Sequence, residues 1–251
     1  MNGGEPDRWS AVAEEWSALW GSMPQPVWAA VAAAAAIGPG SRVLDIGCGA
    51  GEFVAYAAGL GAEVSGVDPA PGMVSRARAR VPGASIEVAG FEELPRPERP
   101  FDVATAFNAL QFAEDPVTAL RRTADVVAAG GRIAIANWAE AERNDIEALE
   151  AAIARAAGEE PVPDDELRLP GGLERVMAAA GLADVLAGIT DVEWTTPDEE
   201  HLVRGILLGE DDATIDELRS TLLEAAAPYR TAEGGYRLVN AFRWAVGTAG
   251  R

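Results

Sequence analysis

The nine residues Val43-Leu44-Asp45-Ile46-Gly47-Cys48-Gly49-Ala50-Gly51 constrain the fold of this chain more than any others. Apolar Val43, Leu44 and Ile46 around a single acid read as a buried parallel strand. Gly47, Gly49 and Gly51 then form a turn in which a Cβ would block either the backbone path or an approaching ligand. A helix follows over about Glu52–Leu60, so a bound molecule would meet a strand end, a glycine loop and a helix N-terminus together. The pattern is that of a βαβ unit holding a nucleotide-like ligand.

A glycine-rich turn alone is common, and two acids make this one specific. Asp45 sits inside the strand end, where a carboxylate attracts an ammonium group and repels a pyrophosphate. Asp68 closes the next apolar segment, Val64-Ser65-Gly66-Val67. It lies about 20 residues beyond the first glycine, the separation at which a βαβ unit presents a carboxylate to ribose hydroxyls. The implied ligand is a nucleoside that carries an ammonium group and no phosphate.

At these positions the chain resembles the class I S-adenosylmethionine-dependent methyltransferases, in the small-molecule branch known as the type 11 methyltransferase domain. VLDIGCGAG is similar to the first motif of that family and GVDPAPGMVSRAR, Gly66 to Arg78, to its second. Phe91 to Phe112 resembles the third and fourth together, and AAGGRIAIANW, Ala128 to Trp138, the loop and fifth strand. The likeness spans Ser41 to Trp138 and fades beyond. It implies an α/β fold: a Rossmann-like, seven-stranded, mostly parallel sheet with an antiparallel last strand, and helices on both faces. It also implies S-adenosyl-L-methionine as cofactor.

The resemblance distributes roles over the cofactor-binding residues. Asp45 would accept from the ammonium, directly or through water. Gly47, Gly49 and Gly51 would let the backbone pass the methionine and ribose. Asp68, followed by Pro69, would take the ribose hydroxyls, and Met73 would pack on the adenine. Backbone around Phe91 would meet the adenine edge, with Glu92 as a side-chain partner. Phe107, Asn108 and Gln111 would line the sulfonium and methionine end. One departure stands out: many relatives carry an acid just before the third-motif loop for the adenine amino group, and here that place is Gly90. Either Glu92 compensates or that hydrogen bond is absent.

The chain has 251 residues and 49% hydrophobic content, enough for one domain with a sizeable core. We read 1–251 as a single domain: N-terminal helices over 1–40, a cofactor-binding core over 41–138, and added segments at 139–170 and 195–231. Helices are expected near Asp7–Trp20, Val27–Ile37, Ala70–Val81, Pro116–Ala129 and Gly171–Ala180. Strands are expected near Ser41–Gly47, Glu63–Asp68, Ser85–Ala89, Phe101–Phe107, Arg132–Asn137, Val185–Trp194 and Tyr236–Val246. By the family likeness the last of these enters between its two predecessors. Residues 197–229 read as helical and acidic. Open α/β sheets bind ligands at the carboxyl ends of their strands. Both added segments are therefore expected near that edge, forming a lid with the N-terminal helix.

Composition excludes other classes of partner. With Asp plus Glu at 40 against Lys plus Arg at 20, the net charge is −20, and gripping a nucleic-acid backbone needs clustered cations. Arg76, Arg78 and Arg80 alternate along a predicted helix as a solvated face, and Asn108 lacks the following prolines of amino-methylating DNA enzymes. No apolar run approaches a membrane span. Met1–Glu5 show no secretory leader, and the single cysteine fits a cytoplasmic protein. A monomer or homodimer is expected.

Methyl transfer from a sulfonium needs chiefly proximity, alignment and exclusion of water. A base is needed only when the acceptor carries a proton. No obvious base stands in the sequence: His201 lies in an acidic helix as a surface or packing residue, and Cys48 reads as a small packing residue without a basic neighbour. No metal site is expected, because Asp102 begins its strand and lies at the opposite edge from Asn108. Trp16, Trp20, Phe112 and Trp138 are the substrate-pocket candidates, since rings at the cofactor edge could stack on a planar substrate. The reading is methyl transfer to an O, N or C atom of a small, fairly apolar metabolite, with a role in specialised metabolism. Its alternatives are a related enzyme that uses the cofactor as scaffold or charge source in a cyclisation, elimination or decarboxylation, and a non-catalytic cofactor-binding protein.

Overall fold

The computed structural model of the chain describes residues 6–250. Met1–Glu5, on which the expectation about a leader rests, lie outside the described residues. The core alternates β1 (Arg42–Ile46), α3 (Glu52–Gly59), β2 (Glu63–Asp68), α4 (Pro71–Arg80), β3 (Ser85–Val88), β4 (Phe101–Phe107), α5 (Pro116–Val126) and β5 (Val127–Trp138). Helices α1 (Pro6–Leu19) and α2 (Gln25–Ala34) precede it. It is followed by α6 (Asp145–Ala156), α7 (Gly172–Ala179), β6 (Ala183–Thr196), α8 (Glu199–Ile206), α9 (Asp212–Ala226) and β7 (Tyr236–Thr248).

The seven strands form one sheet in the order β3-β2-β1-β4-β5-β7-β6. Strands β1 to β5 pair in parallel, and β7 inserts antiparallel between β5 and β6, as expected. Strand side chains alternate faces. Leu44, Ile46, Ile133 and Ile135 pack under α5 and α7, with Leu120 and Met177. Val43, Val103, Ala134 and Phe242 meet α2 and α3 on the other face, through Val27, Val31 and Phe53.

Two features place the lid. The last register pair of β5 with β7 is Trp138 with Phe242, whereas β7 goes on pairing with β6 out to Tyr236 and Thr196. That two-stranded ribbon therefore projects past the carboxyl edge of the parallel strands, and it carries α8 and α9. Helix α6 packs there too, and Leu149, Leu202, Leu222, Trp194 and Leu238 form a separate apolar cluster. Both added segments thus gather past the carboxyl ends of the parallel strands. Helix α6 was not foreseen in the sequence. Strand β5 begins at Val127, inside the stretch expected as helix, because Val127 pairs with Phe101 ahead of a register shift in β4.

Candidate cofactor and acceptor site

The loop after β1 is built as the glycines suggest. Gly47, Gly49 and Gly51 have φ of +70°, +53° and +86°, a region costly for residues with a Cβ. At Gly47 a Cβ would collide with that of Ala109, and at Gly51 it would lie 2.9 Å from Ala77 Cα. Only Gly49 faces open space, roofed by the Trp16 ring 3.8 Å from its Cβ position. The first and third glycines serve close packing, and the middle one leaves room for a ligand.

Asp68 ends β2 beside this loop and accepts hydrogen bonds from Gly49 N–H at 2.9 Å and Ala70 N–H at 2.8 Å. Burial raises its pKa against the lowering effect of those two donors. Asp45 is buried and accepts from the Thr105 hydroxyl at 2.7 Å. Burial pushes its pKa to about 8; the Thr105 bond opposes this, and the charges of Asp68 and Glu52 add to it. Two acids held partly against their charge make a site that favours an incoming cation and disfavours a phosphate. The nearby Arg80 is spent on Glu52, at 2.9 Å, and on Ser17, at 2.7 Å.

Met73 is buried with Ala50 and Ala70 in a cluster that α1 closes through Ala13, Trp9 and Trp16. Phe91 is buried in the core, Pro69 is exposed, and Glu92 lies on the short turn Phe91–Glu93, weakly accepting from Glu114 N–H at 3.5 Å. At the end of β4, Phe107 packs on Phe53 with ring centroids 4.5 Å apart. Asn108 takes a left-handed φ of +49°, and its Oδ1 accepts from Trp138 N–H at 3.1 Å. Gln111 is exposed and accepts from the buried Asn137 amide at 2.8 Å.

The four aromatic candidates separate. Trp16 roofs the glycine loop, and Phe112, 48% exposed, meets Trp9 edge-on at 6.2 Å. Trp138 ends β5 against Phe242, with ring centroids 4.5 Å apart. Trp20 turns away from the loop and stacks on Trp194 at 3.9 Å, inside the lid. Thr105, Ser17 and Asn137 were missed in the sequence. Thr105 had one legible signal, a hydroxyl in an apolar strand, but its partnership with Asp45 needs the β1–β4 register.

Other candidates fall away on geometry. Cys48 is buried against Gly66, where Sγ lies 2.9 Å from the Cβ position, and burial pushes its thiol far up. Asp102 caps the start of the neighbouring strand, accepting from Arg42 N–H at 2.8 Å. Among the described residues no three His, Cys, Asp or Glu side chains gather as a metal site, and no helix is long and apolar enough to cross a membrane. His201 sits in the first turn of α8, where its N–H donates to the capping Asp198.

Residues 44–135 match the family model described as a methyltransferase domain. Over that stretch the chain is similar to S-adenosylmethionine-dependent methyltransferases. The chain is 34% identical over 140 residues to a ubiquinone biosynthesis O-methyltransferase of Xanthomonas campestris pv. campestris, covering 51% of this chain and 58% of that protein. It is 41% identical over 103 residues to an aklanonic acid methyltransferase of a Streptomyces species, covering 38% and 47%. The chain thus spans about half the length of the curated relatives it matches. In structure it resembles phosphoethanolamine N-methyltransferase 2 of Haemonchus contortus, solved with phosphomonomethylethanolamine and S-adenosylhomocysteine. The TM-score is 0.61 at 16% identity, over 96% of this chain and 58% of that one; the likeness is one of fold.

Proposed function

We propose that this chain is a methyltransferase that moves the S-adenosylmethionine methyl group to an oxygen, nitrogen or carbon of a small, fairly apolar metabolite. One observation carries the reading: the carboxylates of Asp45 and Asp68 flank a glycine loop whose open position, Gly49, is roofed by an indole. A cationic nucleoside fits that arrangement. Asp68 would hold the ribose, Asp45 the ammonium end, Met73 and Phe91 the adenine, and Phe107, Asn108 and Gln111 the methionine end. Glu92 supports the adenine assignment, since its Oε2 lies 3.3 Å from the position of a Cβ on Gly90 and so occupies the space an acid at 90 would fill.

The chemistry asks little of the protein. The bound donor supplies an activated methyl carbon. The chain then aligns the acceptor, excludes water and favours the cation in the ground state no more than necessary. Trp138, half-buried and backed by the buried Phe242, would give the acceptor side an apolar ring on which a planar substrate could stack. The O-methyltransferase names of the curated relatives favour a hydroxyl on such a ring, and the Streptomyces relative favours specialised metabolism. Incubation with hydroxylated aromatic metabolites is expected to yield methylated product and S-adenosylhomocysteine in equal amounts. Product without that conversion would sink the methyl-transfer reading in favour of a scaffold role for the cofactor. Calorimetry on Asp68→Ala is expected to show cofactor affinity reduced at least about tenfold, from the loss of a charge-assisted bond; unchanged affinity rejects the ribose assignment.

A further inference from the structure

Helix α1 makes two sets of contacts on different bodies. On the cofactor side, Ser10 Oγ accepts from Gly72 N–H at 3.0 Å, and the Ser17 hydroxyl donates to Glu52 Oε1 at 2.6 Å. Glu52 is the first residue of α3, directly after the glycine loop, and Arg80 of α4 closes the triangle by binding both. Trp16 and Ala13 complete the cover over Gly49 and Met73. On the lid side, Trp20 follows the last turn and stacks on Trp194 of β6, with the planes 16° apart. Its Nε1–H donates to the Gly205 carbonyl of α8 at 3.2 Å, and Trp194 Nε1–H returns a bond to the Leu19 carbonyl at 3.0 Å. Gly205 is required here, because a Cβ would collide with the Trp194 ring. Two ion pairs, Arg204–Glu15 at 3.6 Å and Arg8–Glu210 at 3.1 Å, run in parallel with the stack.

The Gly49 turn and Met73 lie beneath this helix, Met73 only 3% exposed, with Asp68 bonded to Gly49 and 8% exposed. A ligand held between them cannot leave along the loop without displacing α1. Helix α1 in turn cannot tilt as a rigid body while its C-terminal end is clamped between two indoles and two reciprocal hydrogen bonds. We propose that α1 is the gate for cofactor exchange, and that the Trp20–Trp194 stack on the acceptor-side lid sets how fast it opens. The inference rests on the cofactor assignment above. It adds a kinetic coupling: a change in the β6–α8 lid is transmitted to the rates of cofactor entry and release through one helix.

A gate and a binding residue leave different kinetic signatures. Loosening a gate raises the association and dissociation rates together and leaves the affinity nearly unchanged. Removing a contact raises dissociation alone. The test is surface plasmon resonance of S-adenosylhomocysteine on the immobilised full chain, comparing wild type with Ser17→Ala and Trp20→Leu. Both variants are expected to raise both rates by about five- to tenfold, the scale of one hydrogen bond or one ring stack, with Kd within about twofold. Trp20 touches no residue assigned to the cofactor, so a rate change there is not a local effect. Should Trp20→Leu fail to give a cooperative melt, Trp20→Phe keeps a stacking ring, removes the bond to Gly205, and is expected to move both rates the same way by less. Unchanged rates overturn the proposal, as does a rise in dissociation matched by an equal loss of affinity. A wild-type chain that does not bind S-adenosylhomocysteine would instead overturn the cofactor assignment.

Discussion

Asp45 shows how one carboxyl can serve both folding and binding. It is buried beneath the loop, accepts from the Thr105 hydroxyl, and has a pKa of about 8 set first by burial. The folded chain binds this proton more tightly than the unfolded chain does. The stabilisation is therefore complete below the ordinary carboxylate range and is lost as pH rises through about 8. Denaturant unfolding across that window is expected to show falling stability in the ligand-free wild type and a flatter profile in Asp45→Asn. A bound cation reverses the preference, because it favours the carboxylate. Cofactor binding should then release a proton, and affinity should strengthen as pH climbs toward about 8. Calorimetry in buffers of different ionisation enthalpy measures that proton, and Asp45→Asn should abolish it. Thr105→Val removes the one bond that lowers this pKa. It is expected to cost about 1–3 kcal/mol of stability at high pH, where the buried carboxylate loses its donor. The two acids and three glycines were legible because their chemistry is local. Thr105 was not, since its role depends on lying beside Asp45 across β1 and β4.

At the scale of elements, the sequence was clearest where hydrophobic period and stop signals coincide. β2 and β4 have the expected bounds, and α4 and α7 each run within a residue of theirs at either end. It was least clear at α6, whose apolar face is short and whose start is fixed by distant partners. Asn144, just ahead of α6, donates through Nδ2 to the Ala139 and Glu140 carbonyls at 2.9 Å each and accepts from Ala241 N–H at 3.0 Å. Asp145 and Asn240 add bonds between the first turn of α6 and β7. The spacing of Ile146, Leu149 and Ile153 is helical, but nothing in 139–170 itself shows an N-terminus held by a strand about 95 residues away. Asn144→Ala leaves these buried groups unpaired and is expected to cost about 2–3 kcal/mol, read as a lowered denaturant midpoint. Because α6 touches none of the residues assigned to the cofactor, S-adenosylhomocysteine affinity should hold while acceptor turnover falls. Loss of cofactor affinity in that variant would mean that the lid and the cofactor loop fold as one unit.

Across the whole molecule the dominant quantity is the charge of −20. Self-repulsion at that charge works against the compact state and is screened by salt, so stability of the ligand-free chain is expected to rise between about 0.01 and 0.15 M NaCl. The loop after β1 concentrates the same problem, because the charges of Asp68 and Glu52 raise the cost of ionising Asp45, and among the described residues it is Glu52, not Asp45 or Asp68, that has a guanidinium partner. A ligand bearing a sulfonium supplies the missing positive charge, whereas S-adenosylhomocysteine lacks it. Each ligand at about one hundred times its Kd should add about 2.7 kcal/mol, or roughly 5–10 °C in Tm for a domain of this size. Compared at equal concentration, S-adenosylmethionine should give the larger shift, and the gap between the two should narrow as salt screens the acids. If S-adenosylhomocysteine protects equally at low salt, the acids do not sense the sulfonium, and their perturbed protonation serves the ammonium end alone.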